Sequence, residues 1–211
     1  YFNIYLLFYV KFLLLYRHSL RNSPMQSTGQ TPHKPYSPRI KRLAVVLRIL
    51  ALVGAVLAPL SVLVAWGNPE WLREIADSRW GLAGKPYVIT PMTQCLGAAA
   101  SLPALIPALY ALAQIWQLFG RFGRGQVFDS LSVRHMRRLA LSVIALSVAG
   151  PVVQTLTVLV LTLQNPPGER VLVFAISANE YLTLMVGLVF LAIAKVLGEA
   201  VRAVQDNEGF I

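Results

Sequence analysis

The chain has 211 residues, 56% hydrophobic and 13% charged, with a formal net charge of +10 and a mean hydropathy of +0.59. A water-soluble domain of this size could not bury so much apolar surface, so the composition points to lipid as the solvent. The lone Cys95 and the scattered His18, His33 and His135 exclude a disulfide framework and a Cys/His metal site; Cys95, at a helix start, reads as inert packing.

Tyr1–Tyr16 is apolar but interrupted by Lys11, short of a full crossing and followed by no small-residue cleavage site, which argues against a signal peptide. Because the chain begins with Tyr, residues 1–24 read as an artefactual or disordered extension ahead of a start at Met25, with an extra interfacial or membrane helix as the alternative. Residues 22–38, rich in Ser, Pro, Gln and Thr, read as a disordered linker, so that 1–39 is an N-terminal extension and 40–211 the membrane domain. Four long apolar stretches follow: 43–66, 95–119, 139–163 and about 178–198. Hydrocarbon offers no partner to a bare peptide group, so each is expected to cross as a helix of about 20 residues over about 30 Å. The predicted fold is all-α, a four-transmembrane-helix bundle.

Within the first span, Arg48 lies close enough to the inner end for its long side chain to reach the interface. The outer loop 67–94 opens with Asn68 as N-cap, Pro69 at the first helical position and Glu70 in the first turn. Trp71, Leu72 and Ile75 then share a face, predicting a short helix on the outer membrane surface. Tyr87-Val88-Ile89-Thr90 and Val171-Leu172-Val173-Phe174 have strand character. Either they pair as a lid, or 171–177 lengthens the fourth span. Small residues four apart in the second span (Gly97 and Ser101, Ala104 and Ala108) permit close helix contact and place that span centrally. Pro59, Pro103, Pro107 and Pro151 invite bends. Gln154, beside Thr155 and Thr157, is expected to hydrogen-bond across helices. Glu180 and Lys195 lie toward the two ends of the fourth span, and no charge lies deep in any span, which disfavours an ion or proton pathway.

Lys41-Arg42-Leu43-Ala44 recurs as Arg137-Arg138-Leu139-Ala140, and 24 positions aligned from Ile40 and Met136 share nine identities, including Gly54 with Gly150. Such a repeat describes two parallel helical hairpins with any cavity at their interface; chance identity between Leu-, Val- and Ala-rich segments is the alternative.

The cations set the orientation. Segment 17–42 carries Arg17, Arg21, Lys34, Arg39, Lys41 and Arg42 without an acid, and loop 120–138 carries Arg121, Arg124, Arg134, Arg137 and Arg138 against Asp129 alone. Loop 67–94 balances Arg73, Arg79 and Lys85 with Glu70, Glu74 and Asp77, and loop 164–177 holds only Arg170 beside Glu169. Loops retained in the cytoplasm keep Lys and Arg, so both chain ends and the 120–138 loop are expected inside. Trp66 and Tyr181 at the outer ends, with Trp116 and Phe119 at the inner end of the second span, suit the headgroup level.

Two segments carry a recognisable pattern: Leu118-Phe119-Gly120-Arg121-Phe122-Gly123-Arg124-Gly125-Gln126-Val127-Phe128-Asp129 leading to Arg137-Arg138-Leu139, and the tail from Gly198-Glu199 to Asp206-Asn207-Glu208-Gly209-Phe210-Ile211. Over about 40–211 the chain resembles the bacterial membrane family known as domain of unknown function 2975. Gly125 and Phe128 match that family's Gly-x-x-Phe turn, and Asp206, Asn207 and Glu208 its acidic tail. Asp129 stands where Thr or Ser is usual, and Ser132 where an Asn often occurs. The resemblance implies a small protein of the bacterial inner membrane with no established activity, often encoded beside a helix-turn-helix regulator, and supplies no catalytic residues.

Asp129 or Ser130 is expected to cap a short helix through 138 whose Arg134, Arg137 and Arg138 meet anionic headgroups at about 1 kcal/mol each. In the sharper reading, this helix docks the acidic Glu199, Asp206 and Glu208 to build a face for a partner, held by packing of Phe128 and Phe210 because exposed ion pairs are weak. Gly120, Gly123 and Gly125 lack the preceding strand and following Lys-Ser/Thr of a phosphate loop. The expected function is a non-catalytic sensing or scaffolding component, without cofactor or metal. Its expected partners are anionic lipid, a soluble regulatory protein and a second copy of the chain, but not nucleic acid. A subunit of a small oligomeric transporter or channel is the alternative, and an enzyme is disfavoured by the lack of paired carboxylates, His clusters or an activated nucleophile.

Overall fold

The computed structural model describes residues 38–125, 129–166 and 168–208; the extension and linker predicted ahead of Pro38 lie outside them. They form α1 (Pro38–Gly67), α2 (Pro69–Arg79), α3 (Pro91–Ala100), α4 (Leu102–Phe122), α5 (Ser130–Thr162) and α6 (Ala178–Glu208), and contain no strand. Four stretches are long and apolar enough to cross a membrane: Ile40–Gly67, Leu102–Phe122, Ser130–Thr162 and Ala178–Ala203. Large apolar side chains point outward along them, Leu63 at 65% exposure, Ile106 at 62% and Val148 at 62%, an arrangement that is stable against lipid and not against water. The protein is an all-α membrane bundle of four spans; Ser101 separates α3 from the second span in α4, so that the expected stretch 95–119 is shared between two helices.

Neighbours in the bundle are neighbours in sequence. α1 packs on α3 and α4, α4 on α5, and α5 on α6, while α1 shares no extended face with α5 or α6 among the described residues. The spans therefore stand in an open row, each antiparallel to the next. Gly54 of α1 faces Leu112 of α4, and Gly97 of α3 faces Trp66 at the end of α1; Gly187 and Gly198 of α6 face Ile144 and Val133 of α5. Gly54 and Gly150, the glycines aligned in the internal comparison, each face the other arm of their own hairpin, Leu112 and Glu180 respectively.

The tightest core lies at the end away from the basic loops. Trp66, only 6% exposed, stacks on Trp80 with ring centroids 6.2 Å apart and joins Leu72, Ala76, Leu82, Val158 and Leu161. Its indole N–H donates to Ser101 Oγ at 3.1 Å, and that hydroxyl donates to the Gly97 carbonyl at 3.1 Å. Trp66 at the outer end of the first span is thus a core anchor that faces protein, because a buried indole needs both apolar neighbours and an acceptor for its N–H. Gly97 and Ser101 seat this ring; a Cβ on Gly97 would fall 2.0 Å from it. Cys95, expected as packing, is exposed.

α2 begins as its sequence dictates. The Asn68 side-chain oxygen accepts from the Glu70 and Trp71 N–H groups at 3.1 and 3.2 Å, with Pro69 at the first position. Its buried face, Leu72 and Ala76, docks on the end of the bundle, while Trp71 is exposed. Tyr87 reaches back to α2, donating to the Asp77 carboxylate at 3.0 Å.

The two strand-like runs neither pair with each other nor lengthen the fourth helix. Both lie extended against the end of α5. Val88 N–H donates to the Leu161 carbonyl at 3.4 Å, Val171 N–H to Thr162 Oγ1 at 3.3 Å, and Thr155 Oγ1 to the Val173 carbonyl at 2.9 Å. Buried Asn165 ties the two loops together, donating to the carbonyls of Pro86 at 2.6 Å and Glu169 at 3.3 Å. α6 starts at Ala178 because Ser177 and Glu180 form a capping box: the Glu180 carboxylate accepts from Ser177 N–H and hydroxyl, and Ser177 Oγ accepts from Asn179 N–H. α1, α4 and α5 continue through Pro59, Pro107 and Pro151, and Pro103 sits in the first turn of α4, where no backbone donor is required.

Replacing Gly97 by Leu drives a side chain into the Trp66 ring, an overpacking cost of about 1–3 kcal/mol. Thermal unfolding in detergent should show that loss for Gly97→Leu and almost none for Ala99→Leu, on the exposed side of the same helix.

Candidate functional site at the basic end of the bundle

The connection between α4 and α5 gathers the polar side chains. α4 presents two faces here. Leu112, Trp116 and Gly120, four residues apart, look toward α1, and Gln114, Leu118 and Arg121 look toward α5. Gln114, Leu118, Ser132 and Leu139 are buried at 3%, 3%, 3% and 6% exposure, so polar and apolar side chains share this seam.

At its centre the His135 imidazole Nδ1 lies 2.7 Å from Gln114 Oε1. An amide oxygen only accepts, so Nδ1 carries the proton and the neutral ring's Nε2 is left as the acceptor. Gln114, not the expected Gln154, is therefore the amide that reaches across helices. Gln154 is half-buried and makes no hydrogen bond among the described residues. The physical difference is depth: Gln114 lies in the seam between two helices, whereas Gln154 lies on α5 beside Thr155, whose hydroxyl meets the 171–174 run.

About two turns nearer the loop, Arg121 pairs with Asp129, the one ion pair among the described residues. Bonding to the guanidinium outweighs partial desolvation and holds the Asp129 carboxyl below its ordinary value. α4 ends in a tightened turn, with Gly123, Arg124 and Gly125 N–H groups bonded to the carbonyls of Phe119, Arg121 and Phe122. Gly125 then turns the chain at φ +85°, a conformation that favours glycine. Asp129 is the N-cap residue of α5 by backbone geometry, and its carboxylate accepts from Arg121 through one oxygen and from the Ser130 hydroxyl through the other. The expected short helix through 138 is the start of the long α5, continuous with the third span.

The remaining candidates separate clearly. Arg134, Arg137 and Arg138 are exposed on the first turns of α5. α6 stays helical to Glu208, and Gly198 lies against Val133, which brings the exposed Glu199 alongside the start of α5; Asp206, farther on, is also exposed. No ion pair joins these acids to the three arginines among the described residues. Asn207 and Glu208 close the helix, while the side-chain placements of both, together with Phe128 and Phe210, lie outside what the structure describes.

On the other face of α4, Arg48 of α1 sets its guanidinium carbon 4.2 Å from the centre of the Trp116 ring, a cation–π contact. It lies in the groove instead of extending outward. Sequence reasoning missed Gln114 and His135 as a pair; the signal was present in the heptad spacing of Gln114 and Arg121 opposite Ser132 and His135.

Residues 49–211 match the family described as Protein of unknown function (DUF2975). The chain belongs to this family. The match takes in all of the α3–α6 region and most of α1, so the Gln114–His135 seam and the acidic end of α6 lie within the family's extent. No curated protein and no solved structure matches the chain.

Two measurements check this site. Gln114→Leu strands the His135 N–H in a buried seam and should cost about 1–3 kcal/mol in detergent unfolding, while Gln154→Leu should change stability by less than about 0.5 kcal/mol. The depressed Asp129 carboxyl stabilises the fold above the ordinary carboxylate range, and this contribution is lost as pH falls through its folded value. Asp129→Asn should remove that share of the acid dependence of melting and leave the neutral-to-alkaline limb unchanged.

Proposed function

We propose that this protein is a non-catalytic component of the bacterial inner membrane that docks a soluble regulatory partner on its basic, cytoplasmic end. One observation carries the reading. α6 runs as helix past the end of its apolar stretch at Ala203 to Glu208, and exposed Glu199 and Asp206 share an end of the bundle with exposed Arg134, Arg137 and Arg138, which form no ion pair among the described residues. Charges of both signs on stiff helices lose little entropy when a complementary surface arrives, whereas a surface meant only for anionic lipid gains nothing from the acids. The cytoplasmic placement follows from the cation bias of the loops. The non-catalytic assignment rests on the lack of paired carboxylates, clustered histidines or an activated nucleophile in the sequence.

A second reading, a subunit of a small oligomeric transporter or channel, is favoured by the open row, whose end helices α1 and α6 do not close on each other. It predicts flux in liposomes; the docking reading predicts none.

The docking reading predicts a soluble protein co-purifying with the membrane-inserted full chain, and lost both on deletion of 204–211 and in an Arg134→Glu, Arg137→Glu, Arg138→Glu variant that inserts normally. Equal recovery with all three forms would remove it.

A further inference from the structure

The first hairpin carries an uncompensated cation. α1, α3 and α4 contain no Asp or Glu, and the nearest acid along the chain beyond α4, Asp129, is taken by Arg121. Arg48 nevertheless lies half-buried between α1 and α4, its Nε shielded and without a hydrogen-bond partner. Its guanidinium covers Trp116 on one side. The missing side chain of Gly120 makes room beside it, where a Cβ would stand 3.7 Å from Nε and 3.8 Å from Cζ. No carboxylate or carbonyl of the described residues accepts from its terminal nitrogens.

Height along the helix fixes what surrounds it. At 1.5 Å per residue the run from Arg48 to Gly67 is about 28 Å long, the thickness of a hydrocarbon core. Arg48 therefore sits at the phosphate level of one leaflet, with Lys41 and Arg42 about 10 Å farther out. A guanidinium pinned at that depth is strongly favoured by a counter-charge, and its planar fork matches the paired oxygens of a phosphate.

We infer that the α1–α4 groove at the basic end is a binding site for one anionic phospholipid, whose phosphate is held by Arg48 over the Trp116 ring and beside Gly120. The site is independent of the partner surface formed by Arg134, Arg137, Arg138 and the end of α6, and lies on the opposite face of α4 from the Gln114–His135 seam.

The test uses full-length protein, delipidated in detergent and titrated with phosphatidylglycerol or phosphatidylcholine of matched acyl chains, with bound lipid counted by native mass spectrometry. The wild type should retain one phosphatidylglycerol with a preference of about ten-fold over phosphatidylcholine. Arg48→Gln should abolish that preference, Arg48→Lys should weaken it, and Gly120→Leu, which fills the space beside the guanidinium, should reduce it with all charges intact. The triple Arg134→Gln, Arg137→Gln, Arg138→Gln variant should keep it. Helicity and elution volume report whether each variant has folded. Equal retention of the two lipids by the wild type, or an undiminished preference in both Arg48→Gln and Gly120→Leu, overturns the site. Displacement of the lipid by millimolar inorganic phosphate would assign the groove to a free phosphate, and displacement by an acidic peptide lacking phosphate would assign it to a protein partner; either result overturns the lipid assignment.

Discussion

A hydrocarbon solvent cannot accept or donate a hydrogen bond, and the whole arrangement of polar groups in this chain follows from that. Backbone groups are satisfied within the four crossing helices. Side-chain hydroxyls turn back to their own helix, as Ser142 does to the Arg138 carbonyl and Thr162 to the Val158 carbonyl. Groups that cannot be satisfied locally are met in pairs: Trp66 with Ser101, Gln114 with His135, Arg121 with Asp129. Arg48 in its groove departs from this pattern, as do Gln154 and the Nε of Arg121.

The two ends of the bundle solve different problems with different chemistry. At the far end, two loops without regular structure are fastened to the end of α5 by Asn165, Thr155 and Thr162, and a helix of 11 residues is clamped over Trp66. Each tether spends a side chain on backbone groups that a strand or helix would have satisfied internally. At the basic end the one connection, between α4 and α5, is short, and charged side chains are exposed on helices that run straight out of the apolar region. The far end is built as a plug, and the basic end as a presented surface.

The crossing helices were legible because burial in lipid imposes a length and a composition, and both are written along 43–66, 95–119, 139–163 and 178–198. The α2 start was legible for a similarly local reason, Asn68 followed by Pro69. Pairings between distant residues were not. Trp66 carries the same letters whether its ring faces lipid or stacks on Trp80, and the difference is decided by Gly97 and Ser101, thirty-odd residues away. Likewise Gln154 and Gln114 are equally polar in sequence, and only the register of α4 on α5 selects Gln114. The start of α6 was marked by the Ser177-Ala178-Asn179-Glu180 capping pattern, but the apolar run 171–174 ahead of it carries a stronger hydrophobic signal, which masked the boundary. At the candidate surface, the exposed arginines and the acidic end were readable as charges, while the Arg121–Asp129 ion pair depends on how α4 and the start of α5 meet.

The absence of acids from α1, α3 and α4 reaches beyond lipid. Neither carboxylate nor imidazole occurs in those segments, and the acids of the first hairpin, Glu70, Glu74 and Asp77, are confined to α2 at the far end. Asp129, His135 and Glu180 all belong to the second hairpin or its approach. The crossing helices of the first hairpin thus offer only cations, whereas those of the second offer a carboxylate and an imidazole as well, an asymmetry of charge between the two halves of the row.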